Sequence, residues 1–199
     1  MMDNAEQNIV LETQALEHQG TRVLTCLLAD DGVFPNNALL PLIVYKHVLE
    51  DVGDRAIEFA RRFAERGWSD RWRDGLYPVH HYHSTAHEVW GFASGMARIQ
   101  FGGPRGVFLE LEAGDAVIIP AGVSHMNETN SSDLLVVGAY PDGCFPDILS
   151  PEEGDFDGND SEDDDRIASI ERIAALEVPE KDPLFGSRGL MRQLWKKAR

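Results

Sequence analysis

The sequence predicts an all-β sandwich or barrel with helices at its periphery. Three observations carry that reading. From residue 76 to 140, short apolar runs alternate with clusters of Gly, Pro, Asn and Asp, the pattern of short strands joined by tight turns. Two upstream segments, 22–28 (RVLTCLL) and 38–49 (ALLPLIVYKHVL), are rich in β-branched and apolar residues and read as further strands. Helical periodicity is confined to short stretches outside the 76–140 region.

Taken in order, residues 1–21 show no strong pattern and are expected to form an N-terminal arm. Residues 22–146 are expected to form the β domain. Pro41 should place the second upstream strand at an edge or near a strand start. A helix is inserted at about 54–66, with Ile57, Ala60, Phe63 and Ala64 on one face and Gly67 as its stop. Residues 147–165 are acidic and turn-forming and read as a solvated linker. A calcium loop is the sharper alternative, but glycine follows Asp155 and Asp157 at the wrong position for that register. Residues 166–199 form a helical tail. There Ile167, Ile170, Ile173 and Ala174 share a face, and a short final helix tucks Leu190, Leu194 and Trp195 against the body.

The formal charge of −16 argues against nucleic acid and anionic membranes, both of which select clustered Lys and Arg. No apolar run reaches the ~18 residues that a membrane helix needs. The N-terminus lacks the basic start and apolar stretch of a secretory signal. With only Cys26 and Cys144, far apart, a cytoplasmic protein with reduced thiols is expected.

Chemistry concentrates at residues 75–95, GLYPVHHYHSTAHEVWGFASG, which hold four of the chain's seven histidines. His81 and His83 are two apart in an extended segment, so their side chains share a face. Glu88 begins the next strand after a turn and folds back over them. A further ligand is expected from elsewhere in the sheet, and GDAVIIPAGVSH (114–125) supplies His125 after a proline-glycine corner. His80 and His87 should face the other way, although the turn leaves His87 open as a replacement ligand.

Gly75, His81, His83, Glu88 and Gly95, followed by Gly114, Pro120, Gly122 and His125, resemble the two signature motifs of the cupin superfamily. The second motif departs at its last place, where Thr129 stands instead of the usual asparagine. The resemblance implies a cupin-type jelly-roll β-barrel with a metal in its mouth, held by His81, His83, Glu88 and His125. It is closest in character to single-domain bacterial cupins of unassigned activity.

Three imidazoles and one carboxylate suit Fe, Mn, Ni, Zn or Cu. The single carboxylate cancels one metal charge and favours an anionic or enolisable ligand. Strand parity adds Trp90 and Phe92 as an apolar cavity wall and Asn127 as an orienting group. Arg98, Gln100 and Tyr140 are candidates for substrate contact, with an exposed strand or a core position as the alternatives. A metal-dependent enzyme on a small organic substrate, such as a dioxygenase or isomerase, is the expected function. A non-catalytic sensor or carrier of a small molecule or metal is the alternative. Protons should compete with the metal at all three imidazoles, so affinity is expected to fall steeply from about pH 7 to 5. The apolar content of ALLPLIVYKHVL and LMRQLWKK points to a homodimer.

Overall fold

The computed structural model describes residues 9–50, 52–151 and 166–196. Among these, the elements follow in the order β1 (Val10–His18), β2 (Thr21–Leu28), β3 (Asn37–Tyr45), α1 (Arg55–Ala64), β4 (Trp68–Asp74), β5 (Glu88–Ser94) and β6 (Met96–Phe101). Then come β7 (Val107–Glu112), β8 (Ala116–Ile119), β9 (His125–Asn130), β10 (Leu135–Pro141), α2 (Arg166–Ala175) and α3 (Met191–Leu194). The strands form a seven-stranded sheet, ordered β1-β2-β3-β8-β5-β10-β4, and a three-stranded sheet, ordered β7-β6-β9. All pairings are antiparallel. This is an all-β architecture of the jelly-roll kind, with helices outside it.

The centre of the large sheet is apolar on both faces because β3, β8, β5 and β10 are nearly continuous hydrophobic runs. Along β5, Trp90 and Phe92 enter the core between the two sheets, while Val89 and Ala93 enter a second core on the outer face. Helix α1 covers part of that outer face. Asp54 caps it, accepting from Ile57 N at 3.1 Å. Its buried face is Ala56, Phe59, Ala60 and Phe63. The helix is therefore rotated from the face expected by sequence: Ile57 is 60% exposed, and Phe59, not Ile57, meets the sheet.

The C-terminal segment covers the rest. Asp182, fully buried, accepts from the Tyr45 hydroxyl at 2.6 Å and from the backbone N–H groups of Leu184, Phe185 and Met191. Four donors compensate its desolvation. Trp195 is buried beyond α3 and donates from Nε1 to Pro41 O at 2.8 Å. The two apolar segments that pointed to a homodimer thus largely cover each other within one chain.

Three local readings change. Val10–His18, expected as part of a loose arm, pairs with β2 from Val10↔Leu28 to His18↔Thr21. Gln19 and Gly20, at φ 50 and 80, form the two-residue hairpin loop that fixes this register. Pro41 lies inside β3 rather than at its start. It is tolerated because β8 pairs only with Ile43, Val44 and Tyr45, leaving no ladder bond at Pro41 to lose. Helix α2 does not bury its isoleucine stripe: Ile167 is 70% exposed, and Ser169 is the buried residue. Polar anchors hold it instead, Arg166 to Asp30 and Arg172 to Ser84. From residue 152 on, the expected acidic linker and its calcium alternative lie outside the described residues.

Candidate metal centre

The two histidine motifs meet through the backbone. His81 N–H donates to His125 O at 3.2 Å, and His125 N–H donates to His81 O at 2.9 Å. Directly paired antiparallel residues project to the same face, and the two rings lie 4.2 Å apart. His83, two residues on, returns to that face, with its ring 5.7 Å from His81 and 5.5 Å from His125. Gly122 makes the corner before β9. It sits at φ +90, and a Cβ there would lie 2.4 Å from Asn36 O, so only glycine fits. Its N–H donates to His83 O at 2.8 Å and ties the two motifs together.

Each of the three rings turns Nδ1 to a backbone carbonyl: His81 to Val79 O and His125 to Val123 O, both at 3.0 Å, and His83 to Asp147 O. A carbonyl only accepts, so Nδ1 carries the proton and Nε2 keeps its lone pair for a ligand. One ring nitrogen from each histidine lies within 4.8 Å of the other two. Glu88 Oε2 lies 3.3 Å from His83 Nε2 and 3.7 Å from His125 Nε2. Both Glu88 Oε2 and His125 Nε2 are buried with no hydrogen-bond partner. Leaving such groups unsatisfied costs about 1–3 kcal/mol each, and a cation between them removes that cost. The donor set therefore fits a divalent metal ion.

The protonation pattern is uneven. Burial, reinforced by His83, pushes His81 down to about 4. Burial, reinforced by His81, holds His125 well below its ordinary value. Burial opposes charge on His83 as well, but the Glu88 carboxylate overcomes it and raises His83. Burial would raise Glu88, yet His83, His125 and the Tyr140 hydroxyl hold it down at about 2. Without a metal, the His83–Glu88 pair therefore keeps its proton to higher pH than the other two imidazoles do.

A clamp that sequence reasoning missed sits behind His83. The Asp147 carboxylate accepts from Ser84 N at 2.6 Å, from Thr85 N at 3.1 Å and from the Ser84 hydroxyl. Its backbone carbonyl is the acceptor for His83 Nδ1. Arg172 of α2 donates to Ser84 Oγ at 2.7 Å. The stretch read as the start of a linker thus fixes the orientation of a candidate ligand.

Above the cluster opens a cavity of about 220 Å³, walled by Trp72, Leu76, Tyr77, Trp90, Tyr140 and Ile148, with Asp74 at its exposed rim. Trp72 comes from β4, a strand the sequence reading did not find. Its tryptophans stand four apart, a helical as much as a strand spacing, directly after a helix. Trp72 pairs with Gly138, where a Cβ would lie 1.9 Å from the indole. Glycine at 138 is what admits the ring. Trp72 Nε1 donates to Glu88 Oε1 at 3.3 Å and to the Tyr140 hydroxyl oxygen at 3.2 Å.

The remaining sequence candidates separate. Trp90 and Tyr140 line the cavity, whereas Phe92 lies deeper in the core between the sheets. Asn127 is buried near His125 but donates to Asn130 Oδ1 at 2.7 Å and does not line the cavity. Gln100 is buried beside His80. Arg98 faces outward, paired with Glu128 and stacked 4.3 Å over Phe108. His80, expected at an outer surface or interface, is instead buried, with Ser124 Oγ at 3.1 Å and Gln100 Oε1 at 3.2 Å from its ring nitrogens. The second face of the extended run packs on Phe34, Ser124 and Gln100 of β6 and not on solvent. His87 accepts from Ala121 N at 2.9 Å and stacks on Trp195, turned away from the cluster.

Fold and site together define a cupin: a jelly roll carrying both motifs, with three histidines gathered at one end. The chain belongs to the same family as the uncharacterized protein YjlB of Bacillus subtilis (strain 168), with which it is 37% identical over 174 residues, covering 87% of this chain and 96% of that protein. No protein-family model matches the sequence. Similar solved structures include a mutant of Bacillus subtilis oxalate decarboxylase (18% identity, 71% of this chain and 30% of that chain, TM-score 0.32). Bacillus anthracis acireductone dioxygenase with cadmium in its active centre is another (24% identity, 48% and 67%, TM-score 0.31). Brassica napus procruciferin, an 11S globulin, is a third (12% identity, 65% and 27%, TM-score 0.33). The chain spans about a third or less of the oxalate decarboxylase and procruciferin chains. The cupin assignment here rests on the motifs and the strand order. Among the described residues, no helix is long and apolar enough to cross a membrane.

Proposed function

We propose that this protein is a metal-dependent enzyme acting on a small organic molecule, of dioxygenase or isomerase type, with His81, His83, Glu88 and His125 as metal ligands. One observation carries the reading: Glu88 Oε2 and His125 Nε2 are buried without a hydrogen-bond partner and 3.7 Å apart, and Glu88 lines an aromatic cavity together with His81 and His83. The donor set suits Fe, Mn, Ni, Zn or Cu. A divalent ion held there would supply Lewis-acid or redox chemistry to a ligand oxygen. The chain's own residues do the rest. The three carbonyl acceptors fix the imidazoles, and Trp72 and Tyr140 steady Glu88. Burial and the neighbouring Glu88 carboxylate raise the Tyr140 hydroxyl, which stays a hydrogen-bond donor.

A non-catalytic binding role is the second reading. It is favoured by the wall's titratable groups: Glu88 is committed to the histidines and Tyr140 stays protonated, which leaves Asp74 as the one other carboxylate. Elemental analysis of protein purified without added metal tests the shared premise, with less than about a tenth of an equivalent of metal, and none taken up on titration, refuting it. Turnover of any candidate substrate by the loaded protein separates enzyme from binder. A homodimer is part of the proposal, supported by the uncovered Leu11 and Leu39. A monomeric mass by light scattering at micromolar concentration removes it.

A further inference from the structure

The cavity's wall carries information about its ligand that the motifs do not. We propose that it takes a small, flat, uncharged organic molecule with one oxygen directed at the histidine cluster, and that it discriminates against carboxylates and other anions. The oxygen end rests on the metal-centre reading above; the charge preference stands on the wall itself.

Size comes first. At about 220 Å³ the cavity is smaller than ordinary ligand pockets of roughly 300–1,000 Å³. An engineered apolar cavity of about 150 Å³ holds benzene, so this one has room for a ring with one or two small substituents. Shape follows. Trp72 and Trp90 meet edge to face at 6.4 Å, and Tyr140 stands edge to face to His83 at 5.6 Å. Flat walls of this kind favour a planar guest through offset or edge contacts.

Charge decides the class. Among the described residues, no lysine or arginine lines the cavity, while Asp74 and Glu88 do. Arg73 lies between Trp72 and Asp74 on β4, so strand parity turns it to the opposite, exposed face. The indole N–H of Trp72 is already turned to Glu88 and Tyr140. An anion entering here would give up water for a wall with no countercharge and a carboxylate at its rim. Asp74 is exposed and stands outside the histidine cluster, so a bound divalent ion would keep one positive charge beyond Glu88, and the preference belongs to the metal-free wall. The expectation of an anionic ligand counted the metal and Glu88; the wall adds Asp74 and, among the described residues, no cation.

The test compares benzyl alcohol with benzoate, equal in size and opposite in the property at issue. Calorimetric titration of the full chain, metal-free and zinc-loaded, at about 0.15 M salt and pH 7.5 should give benzyl alcohol at least tenfold tighter binding than benzoate in the metal-free form, with the gap narrowing once zinc is bound. Asp74→Asn should tighten benzoate by about threefold to tenfold and leave benzyl alcohol unchanged, because one charge at the rim is removed without loss of packing. Ile148→Trp, which fills the cavity, should abolish binding of the alcohol. Benzoate binding as well as the alcohol to the metal-free protein overturns the proposal, as does failure of both at millimolar concentration or alcohol binding that survives Ile148→Trp. Failure to take up zinc defeats the metal-centre reading alone, since the metal-free comparison still decides the charge preference.

Discussion

The two faces of the seven-stranded sheet each carry a buried core and do different work. The outer face is closed by α1 and the C-terminal segment, through Phe59, Phe63, Leu184, Met191 and Trp195. Its buried carboxylate, Asp182, is satisfied by four donors. The inner face ends in the histidine cluster, where Glu88 Oε2 and His125 Nε2 are not. Apolar closure stabilises the fold, while unfinished polar closure leaves a vacancy for chemistry. Burial alone does not separate the two. His80 and His87 are as buried as the candidate ligands, but both ring nitrogens of His80 face Ser124 and Gln100, and His87 turns Nδ1 to the Ala121 N–H, away from the cluster.

Substitutions on opposite faces should therefore fail in different ways. Phe63→Ala on the outer face should cost about 3–5 kcal/mol of stability, the usual loss for a buried phenylalanine. Metal affinity of the folded fraction should stay unchanged; chemical denaturation and metal titration read the two separately, and a joint loss would break the distinction. His83→Ala on the inner face should act on the metal as well as on the fold. It should weaken metal binding by at least about a hundredfold, the upper end for loss of an outer partner. Its stability without metal should also fall, because Glu88 is left buried without the imidazole that holds it ionised.

Asp147→Ala sharpens the comparison further. It frees the loop whose carbonyl holds His83 Nδ1, and should weaken metal binding about tenfold, the lower end for such partners. An unchanged affinity would show that the clamp serves the loop and not the ligand.

The pH dependence separates the histidines from one another. His83 is raised above its ordinary value, while His81 sits at about 4 and His125 lower than usual. Below the His83 pKa one proton must leave for each metal bound, so affinity should fall about tenfold per pH unit. That is shallower than the three-proton competition expected from sequence. A slope near three protons between pH 7 and 5 would contradict the structure. For folding of the metal-free protein the signs differ. The lowered pKa values of His81 and His125 give stability that is present above about pH 6.5 and lost as pH falls toward about 4. The raised pKa of His83 gives stability that is present below about pH 6.5 and lost as pH rises through its folded value. The smallest effect belongs to Arg98→Ala, on the outward side of β6: a stability change within about 0.5 kcal/mol and no change in metal or ligand binding.

The sequence by itself determined what is local. Spacing two apart put His81 and His83 on one face, alternation put Glu88 and Trp90 on another shared face, and Gly, Pro and Asn clusters marked the hairpins. These follow from backbone geometry, which one sequence states without reference to distant contacts. It could not show which helix face packs, because Ile57 and Phe59 are both apolar and only the sheet selects between them. It could not place Trp72 over Gly138, since that pairing joins residues 66 positions apart. Nor could it tell that Asp147 would grip His83 or that Asp74 would stand at the cavity rim. Those depend on where the ends of several strands arrive together. The ring nitrogens left without partners, and the charge of the wall above them, exist only once the sheets have closed.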